Sequence, residues 1–542
     1  MALVKDKAMS ETEHKAYGIL TVVMAALTGM LLGVLVMPAS NKEHHVQSLS
    51  KLDDAMNMIE RYYVDDMDRD TLTEQMLAAM LSTLDPHSHY LSANELKREM
   101  ETMQGGFEGI GIVLHYEGDT ACVGQLIAGG PAEKAGLHPG DRLIMVDTLK
   151  IAGVGMSNDE IVGHIRGPHN SCADIALQRY GEKGLRHIKV TRDLISTPTI
   201  AYSGMLDKTT GYIRLTRFGE TSHSEFRTAV KALKRQGMTG LVLDLRGNGG
   251  GLLSAAIAIA DEFLPGRELI VYTQGDNQRR ENVTSKRGGI FCEGRLAIMI
   301  DEFSASASEV VSGAVQDNDR GIIIGRRSFG KGLVQRQFEL EDGSAIWLTI
   351  ARYYTPSGRC IQRPYNKGTD EYYSDFLRQL VQESQTDSML VQITDSTEYR
   401  TTGGRLVYGG GGIYPDYVQK LHKDSLLVYY NNLINKGVIE KYAFAYVTQH
   451  YPELRKQYAS EGDFIKRFQV TDKMYYDMLA QADKKGIRRD PRGIAKYGRE
   501  MRNMLKALIA ESLFSFDTYY RIMLRDDADV TDAVKHLHNS SL

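Results

Sequence analysis

The sequence has little cysteine and no marked excess of charge of either sign. Four cysteines occur in 542 residues, too scattered to form a metal-ligand motif or a dense disulfide framework. They are Cys122, Cys172, Cys292 and Cys360. The net charge of -4 gives no reason to expect a nucleic acid as partner. Internal repeats and low-complexity tracts are also absent. The length therefore suggests about three or four ordinary globular domains.

A long run without charged residues lies near the N-terminus, at residues 18–37. An apolar run of this length rises about 30 Å as an α-helix, which is enough to cross a bilayer. The residues at 37–39, Met-Pro-Ala, form a poor cleavage site for a signal peptide, so the run favours an uncleaved anchor. Lysines are more numerous before the run than shortly after it, which predicts a cytoplasmic tail at 1–17 and an exported remainder. In a bacterium this pattern predicts a single-pass inner-membrane protein with its main part in the periplasm.

The rest of the chain falls into four regions of different pattern. Apolar residues recur at helical spacing in 42–104, which predicts an N-terminal helical region. Residues 105–193 contain short alternating runs and many glycines, residues 194–420 alternate apolar strands with helices, and residues 421–542 read as mostly helical. Aromatic residues in this last region could stack on nucleic-acid bases, but aromatics at helical spacing more often form a core. We therefore predict a C-terminal helical appendage, with oligomerisation as a candidate role.

The turn Asp85-Pro86-His87-Ser88-His89 ends the second predicted helix. Its two histidines and its aspartate suggest a metal site, since both residue types are common metal ligands. Two histidines separated by one serine in a turn are, however, more often structural. We therefore predict that this turn has a structural role and that no metal binds there.

Two motifs in the glycine-rich region occur in the order Gly109-Ile110-Gly111-Ile112 and then GGPAEKAGLHPGD at 129–141. The first motif alone could merely turn a hairpin, but together the two resemble a PDZ domain, with the first as its carboxylate-binding loop. The resemblance implies that backbone N–H groups of the loop hold the free C-terminus of a peptide, while the peptide adds a strand to the sheet edge. Isoleucines of the loop and of a flanking helix would then line a pocket for an apolar last residue.

The most informative stretch is a strand, helix and strand in the middle of the chain. Leu296–Ile300 and Gly321–Gly325 read as buried strands on either side of an apolar helix, which is a βαβ unit. Ser306 comes at the predicted helix start with Glu309 three residues later, which alone would be explained as a capping box. Lys331 lies in a glycine-flanked turn. From chemistry alone a Ser–Lys catalytic pair is a hypothesis, because spacing in sequence does not prove contact in space.

Two glycine-rich turns have an alternative interpretation as phosphate-binding loops. Gly325 to Lys331 is close to a nucleotide loop, but that motif needs Ser or Thr next and then a helix. Here Gly332 follows, and the next residues have a strand pattern. The turn at 246–251 joins a strand to a helix and could bind phosphate at the helix N-terminus, but it lacks the G-x-G-x-x-G order. The sequence therefore favours neither turn as a nucleotide site.

Three motifs together resemble the signature of the carboxy-terminal processing (tail-specific) proteases. They are SASASE at 304–309, Gln316-Asp317 and FGKGLVQ at 329–335. The family consists of serine peptidases with a Ser–Lys dyad. The matching positions imply Ser306 as the nucleophile, Lys331 as the base and Gln335 as the residue that positions the lysine.

The same resemblance implies an oxyanion site and a fold. DLRGNGGG at 244–251 is similar to the family element whose glycine backbone contributes to the oxyanion hole, so Gly250 or Gly251 is expected to donate together with the Ala307 N–H. The family fold implies a crotonase-like α/β protease core at 194–420, with an inserted or preceding PDZ domain. This scheme requires no metal and no organic cofactor. The family also carries an LDPHS element, which supports the structural interpretation of the Asp85 turn.

We therefore predict a membrane-anchored serine endopeptidase that selects protein or peptide substrates by a free, apolar C-terminus. Arg166, at the end of the predicted PDZ helix, matches an arginine that couples the PDZ domain to the active site in some family members. A surface arginine with a local salt bridge is equally consistent with the sequence. One alternative function is an inactive PDZ scaffold or chaperone, against which the intact Ser306, Lys331 and Gln335 argue. The other is a Ser-His-Asp hydrolase, but no G-x-S-x-G elbow occurs.

Overall fold

The computed structural model describes residues 42–286, 288–385, 397–420 and 424–540. They divide into two compact units, with the division after Ala79. The first unit contains helix α1 (Lys42–Tyr62) and most of helix α2 (Arg69–Ser82). Arg69 forms ion pairs with Glu60 at 2.8 Å and with Asp53 at 3.3 Å. The two helices of the first unit are therefore joined by charged side chains.

The described helices contradict the membrane localisation predicted from the sequence. None of the helices in the described ranges is long and apolar enough to cross a membrane. Even the 23-residue helix Pro491–Leu513 carries arginine, lysine and glutamate along its length. The prediction of a single-pass inner-membrane protein with a membrane anchor and a periplasmic catalytic part is therefore contradicted. The predicted tail at 1–17 and the predicted span at 18–37 lie outside the described residues.

The second unit begins with a turn, the short strand β1 (His89–Leu91) and helix α3 (Ala93–Gln104). Ser92 precedes the helix, and its backbone N–H and hydroxyl both donate to the Glu95 carboxylate, at 2.9 and 2.7 Å. This serine–glutamate pair fixes the start of α3 as a capping box.

An antiparallel sheet of six strands follows, in the order β3-β4-β5-β7-β8 with β6 on β5. The strands are β3 (Ile112–Glu117), β4 (Thr120–Leu126), β5 (Arg142–Val146), β6 (Leu149–Lys150), β7 (Cys172–Gln178) and β8 (Arg186–Thr191). Helices α4 (Pro131–Ala135) and α5 (Asn158–Ile165) bury their apolar faces in the same core. Strands β2 (Gly106–Gly109) and β9 (Asp193–Ser196) pair with each other. The region with the PDZ-like motifs is therefore a sheet packed against two helices, and the strands at the start and at the end of the region pair with each other.

A second six-stranded sheet holds the middle of the chain, in the order β10-β11-β12-β15-β16-β21. All its pairs from β11 to β21 are parallel. The strands are β10 (Ile200–Met205), β11 (Thr210–Leu215), β12 (Gly240–Asp244), β15 (Arg295–Ile300), β16 (Ile322–Gly325) and β21 (Tyr417–Val418). The inner strands are continuous apolar runs, which is typical of parallel strands buried on both faces.

Three helices cover one face of this central sheet. They are α6 (Ser222–Arg235), α7 (Leu253–Asp261) and α8 (Ala307–Asp317). Their apolar residues form one core with every second residue of the strands, for example Phe226, Ile259 and Val311 with Leu243 and Ile298. The connections are therefore βα units of the kind predicted from the strand and helix alternation.

A smaller antiparallel sheet lies beside the central one, in the order β1-β18-β13-β14 with β17 also on β18. Its strands are β13 (Leu269–Gly275), β14 (Gln278–Thr284), β17 (Leu333–Glu339) and β18 (Ala345–Tyr354). Helix α9 (Thr369–Gln385) and the hairpin β19 (Glu398–Arg400) and β20 (Leu406–Tyr408) follow in the chain. The strand β1 brings the start of the second unit into this sheet, with His89 opposite Trp347.

The C-terminal region is helical, as the sequence predicts. Its helices are α10 (Leu427–Asn435), α11 (Val438–Gln457), α12 (Glu461–Arg467), α13 (Asp472–Lys484), α14 (Pro491–Leu513), α15 (Phe516–Met523) and α16 (Ala528–Asn539). Helices α10 to α15 share one core that contains most of the region's aromatic residues. Helix α16 instead packs on the second face of the central sheet through Val530, Ala533 and Leu537. The last helix is therefore part of the central domain rather than of an appendage.

Candidate active site

Ser306 lies between β15 and α8, immediately before the first helical residue. Its φ of 55° is in the left-handed region, which is unfavourable for a residue with a Cβ and is found most often at functional sites. The side chain lines a cleft of about 440 Å³. The N–H of Ala307, the first helical residue, has no hydrogen-bond partner in the described part of the chain. A hydroxyl and a free backbone donor thus meet at one wall of the cleft.

The glycine loop after β12 contacts this serine directly. A Cβ on Gly250 would lie 2.9 Å from the Cβ of Ser306 and 3.1 Å from the nitrogen of Ala307, so a larger residue cannot fit without displacing Ser306. The Gly250 N–H donates to Asn248 Oδ1 at 2.9 Å. The Gly251 N–H has no partner among the described residues, and Gly251 lines the cleft. Of the two glycines singled out by the sequence, Gly251 is therefore the one whose donor is free.

Lys331 and Gln335 line the same cleft as Ser306. Burial lowers the pKa of the Lys331 amine, while the charges of Asp85 and Glu309 act in the opposite direction. Because a lysine must be neutral to accept a proton, burial favours the form that can act as a base. In the described part of the molecule no hydrogen bond joins the side chains of these three cleft residues to one another. The structure therefore brings all three predicted residues to one place without direct bonds between their side chains.

Two buried side chains tie the backbones of Ser306 and Lys331 together. One oxygen of Glu309 accepts the N–H of Ser306 at 2.8 Å and that of Lys331 at 2.9 Å. The other oxygen accepts two further bonds from the turn before the lysine. The Tyr353 hydroxyl contacts the carbonyl oxygens of the same two residues. Burial raises the pKa of Glu309 to about 7, against the effect of the bonds that its carboxylate accepts.

The PDZ-like loop at residues 109–112 forms a turn in which the side chain of Ile110 is buried. Gly111 has a φ of 76°, in the region that glycine adopts freely. The carbonyl of Ile110 accepts the N–H of Ala132 at 2.8 Å, and its side chain is only 1% exposed. Ile161 and Ile165 of α5 are buried in the same core. The isoleucines expected to line a pocket therefore pack inside the domain, except for Ile112, which is partly exposed.

Strand β3, which follows this loop, is an end strand of its sheet. Its only neighbour among the described strands is β4. Because α5 belongs to the same small domain, the arrangement provides the edge strand and helix that strand addition by a peptide uses.

Arg166 follows α5 and reaches out of its own domain. Its Nη1 lies 2.5 Å from Oε2 of Glu101 on α3. Its guanidinium also stacks over the Phe107 ring at 4.2 Å from the ring centre. The pair joins residues 65 positions apart, so it is not the local salt bridge that the sequence left open. Arg166 links the end of the PDZ-like helix to the C-terminal turns of α3, where Met100 and Met103, which flank Glu101, line the cleft.

The turn at residues 85–89 lies beside the cleft, which the sequence did not indicate. The Asp85 carboxylate is 7% exposed and accepts the hydroxyl of Thr349 on β18 at 3.1 Å. Thr349 in turn accepts the amide of Gln335 at 3.1 Å. No set of three or more His, Cys, Asp or Glu side chains in the described residues has the arrangement of a metal site. Among the sequence observations on this turn, only the family's LDPHS element connected it with the protease family.

Comparisons with known family models match four regions of the chain. Family models match peptidase family S41 at residues 209–370, a PDZ domain at 123–179 and the N-terminal domain of the activating protease CtpB at 25–95. Residues 429–515 match a family of unknown function. The helical region that follows the protease motifs therefore has a recognisable relative but no assigned role.

Curated relatives match more than half of the chain. The carboxy-terminal-processing protease of Bartonella bacilliformis is 37% identical over 328 residues, which are 60% of this chain and 74% of the relative. The carboxy-terminal processing protease CtpA of Bacillus subtilis is 32% identical, over 58% of this chain and 66% of the relative. Among solved structures, a photosystem II D1 C-terminal processing protease is 30% identical and matches 57% of this chain and 89% of its own, with a TM-score of 0.32.

These matches confirm the family resemblance that the motifs predicted. They also favour an active enzyme over the alternative of an inactive scaffold or chaperone. The chain belongs to the carboxy-terminal processing protease family, and it is a serine-type peptidase of peptidase family S41 with a PDZ domain.

Proposed function

We propose that the enzyme is an endopeptidase in which Ser306 and Lys331 form a catalytic dyad within a crotonase-like core. The observation that carries the proposal is the position of the two side chains in one cleft, with both backbones bound to the same Glu309 oxygen. The division of the chain into a PDZ domain at 105–193, a protease core at 194–420 and a helical region at 421–542 is part of this proposal.

The chemistry needs a proton transfer and an attack. Lys331 Nζ, in its neutral form, takes the proton of Ser306 Oγ as the oxygen bonds to the carbonyl carbon of the substrate. The resulting ammonium then gives a proton to the departing amine as the C–N bond breaks, which leaves an acyl-enzyme. Water attacks the ester in the same way, with Lys331 again accepting and returning a proton. Gln335 orients the lysine amine without adding a charge.

The negative oxygen of the tetrahedral intermediate requires donors. The N–H groups of Ala307 and Gly251 are free and line the cleft. Donors of this kind typically lower the barrier by about 3–4 kcal/mol each. Gly250, whose N–H is bound to Asn248, serves to keep the loop close to Ser306 rather than to donate.

The PDZ domain selects the substrate by its free C-terminus. Support comes from β3 as an end strand and from the glycine turn at Gly109–Gly111 before it. A peptide tail would add to β3, and its carboxylate would be held by backbone N–H groups of the Gly109-Ile110-Gly111-Ile112 loop. Arg166, through its pair with Glu101, connects this domain to the helix at the cleft.

The dyad is tested by alanine variants of its two members. We expect Ser306→Ala and Lys331→Ala each to abolish cleavage of an unfolded protein substrate, while the circular dichroism spectrum and the melting temperature stay close to wild type. Ser224→Ala and Lys367→Ala are matched controls, because both residues are exposed and lie outside the cleft. Full cleavage by purified Lys331→Ala at neutral pH would refute the Ser–Lys mechanism.

A further inference from the structure

The Asp85 turn packs against the sheet that carries Gln335. Strand β1 pairs with β18, with His89 opposite Trp347, and Trp347 lines the catalytic cleft. On its other side β18 pairs with β17, where Thr349 stands opposite Gln335. One threonine on the shared strand therefore lies between the turn and the residue expected to position the lysine.

The Asp85 carboxylate is held entirely by neutral donors. It accepts the N–H groups of His87 at 2.8 Å and Ser88 at 2.9 Å, together with the Ser88 hydroxyl at 2.6 Å and the Thr349 hydroxyl at 3.1 Å. In the described part of the chain no arginine, lysine or histidine forms an ion pair with it. Burial of a carboxylate that is hydrogen-bonded but has no ion-pair partner is costly.

The hydrogen bonds give Thr349 a fixed direction. Its hydroxyl proton goes to Asp85, because an ionised carboxylate can only accept. Its oxygen is therefore the acceptor for the amide of Gln335, at 3.1 Å. The Thr349 N–H donates to the Ser88 hydroxyl at 3.0 Å, so the backbone is bound to the same turn. With its N–H₂ group held in this way, Gln335 retains its carbonyl oxygen for the Lys331 amine.

The charge of Asp85 also acts on the lysine. Asp85 and Glu309 both raise the pKa of Lys331, against the larger effect of burial. His87 of the same turn is a neutral ring, since burial, together with the charge of Lys331, lowers its pKa to about 3. Two further acidic residues line the cleft, Glu99 on α3 and Glu220 before α6. Of these groups, Asp85 alone is also connected to Gln335 by hydrogen bonds.

We propose that Asp85 is a positioning residue of the dyad, which fixes the Gln335 amide through Thr349 and offsets with its buried charge the positive charge that Lys331 gains from the serine proton. The inference rests on the proposed Ser306–Lys331 mechanism. It gives the Asp85 turn a place in the active site, where the sequence predicted only a structural turn. The role resembles that of the aspartate in a Ser-His-Asp triad, which stabilises the charged base without taking its proton.

The hydroxyl of Thr349 is tested with a pair of substitutions in the full chain. Thr349→Val keeps the shape of the side chain but removes both hydrogen bonds, and we expect kcat to fall by about tenfold or more with little change in KM. Thr349→Ser keeps the hydroxyl, and we expect it to retain kcat within about threefold. A kcat for Thr349→Val equal to that of wild type would overturn the proposal. So would equal losses in the valine and serine variants, because these would indicate a packing role.

The charge of Asp85 is tested with the pH dependence of kcat/KM. The acidic limb of this profile reports the loss of the Lys331 proton in the free enzyme. Because Asp85 raises the pKa of Lys331, Asp85→Asn should move the limb to lower pH by about half a unit or more, while kcat at the plateau falls. Asp342→Asn is the matched control, since Asp342 is exposed at the turn of the same β17–β18 hairpin and the change of charge is identical.

The outcomes separate this inference from the proposed function. If Lys331→Ala keeps its activity, the dyad itself is wrong. If Lys331→Ala is inactive but the acidic limb of Asp85→Asn coincides with that of wild type and Asp342→Asn, Asp85 has no electrostatic role. Melting temperatures are measured for each variant, and Thr349→Val provides the test should Asp85→Asn fail to fold.

Discussion

The Glu309 carboxylate holds the two halves of the active site together. Ser306 lies directly before α8, and Lys331 lies in a turn 25 positions later. A single oxygen of Glu309 accepts the N–H of each. The residue is completely buried. A carboxylate offers two oxygens that accept in several directions, which no neutral side chain of the same size can do. The backbone positions of Ser306 and Lys331, the two members of the proposed dyad, therefore depend on this one residue.

Replacement of Glu309 by glutamine should disable the enzyme. An amide of the same shape must direct its N–H₂ group at one of the two pairs of donors, so two buried donors lose their acceptor. We expect the free energy of unfolding to fall by about 2–4 kcal/mol and kcat/KM to fall more than about a hundredfold, as measured by denaturant unfolding and peptide cleavage. Glu302→Gln is the control, because Glu302 pairs with Arg326 outside the dyad. Wild-type activity in Glu309→Gln would contradict this account.

At the scale of single elements, helix α16 connects the end of the chain to the glycine loop. Its Val530, Ala533 and Leu537 cover the face of the central sheet that α6, α7 and α8 leave open. At its N-terminal end, Asp527 and Asp529 contact Arg246, at 2.9 and 3.5 Å. Arg246 begins the loop that reaches Ser306. The last helix therefore supports the loop that would contribute to the proposed oxyanion site.

The arginine is held from the other side by a fully buried aspartate. Asp244 contacts Arg246 at 2.7 Å and Arg214 at 2.6 Å, and it accepts the hydroxyl of Tyr212 at 2.7 Å. Burial raises the pKa of Asp244, but the two arginines more than offset this effect and lower it to about 2. The carboxylate therefore stays ionised, and it fixes one side of the Arg246 guanidinium while α16 fixes the other.

The double change Asp527→Asn and Asp529→Asn should weaken catalysis without unfolding the protein. Arg246 keeps Asp244 but loses its partners on α16, so the glycine loop gains freedom next to Ser306. We expect kcat/KM to fall by roughly threefold to tenfold, which corresponds to about 1 kcal/mol of transition-state stabilisation. Asp526→Asn is the control; it removes one charge rather than two, and Asp526 contacts Arg499 and Asn503 within the helical region. A loss of the same size in both variants would exclude a specific effect on the loop.

The elements themselves were largely predictable from the sequence. The apolar run at Leu296–Ile300 is the strand Arg295–Ile300, and the predicted strand Gly321–Gly325 is Ile322–Gly325. Such runs have the length and composition of buried parallel strands, so local pattern was sufficient. The pattern says that both faces of such a strand are covered but not what covers them. The use of α16 on the second face was therefore missed, and the C-terminal region was interpreted as a separate appendage.

The site was predictable only where a motif was local. Ser306, Lys331 and Gln335 lie within 30 residues of sequence, and the family resemblance assigned each of them. The bond between Asp85 and Thr349 spans 264 positions, and neither residue has an unusual neighbour pattern. An Asp-Pro turn with histidines was consistent with an ordinary helix end. The contact depends on the pairing of β1 with β18, which no periodicity in the chain reveals.

At the scale of the whole second unit, the helical region binds both the PDZ domain and the protease core. His115 of β3 stacks on Phe444 of α11 with 4.2 Å between ring centres, and Gln125 of β4 donates to the carbonyl of Glu511 on α14 at 3.2 Å. A Cβ on Gly140 would come within 2.4 Å of Thr448, so the two surfaces are in close contact. Residues 429–515, which match a family of unknown function, therefore pack on the PDZ domain, while α16, outside that match, packs on the central sheet.

Substrate selection through the PDZ domain should depend on the carboxylate of the substrate tail. We expect a peptide substrate with a free, apolar C-terminus to be cleaved more than about tenfold faster than its C-terminally amidated form at subsaturating concentration, because amidation removes the charge that the loop would hold. The comparison is made by mass spectrometry of the products. A shortened peptide that contains only the cleavage site serves as the control and should show no difference on amidation. Equal rates for the two long peptides would exclude recognition of the C-terminus.

Strand β3 has a role in two interactions besides its pairing with β4. Its free edge is where a substrate tail would add, and its His115 is part of the contact with α11. Both interactions depend on the position of the same six-residue strand. A tail that binds best to a displaced β3 must therefore weaken the contact between β3 and the helical region. By thermodynamic linkage, if such a tail weakened the helical contact by a given factor, the intact contact would weaken the binding of the tail by the same factor. A region outside the PDZ domain would in that case contribute to the affinity for the tail.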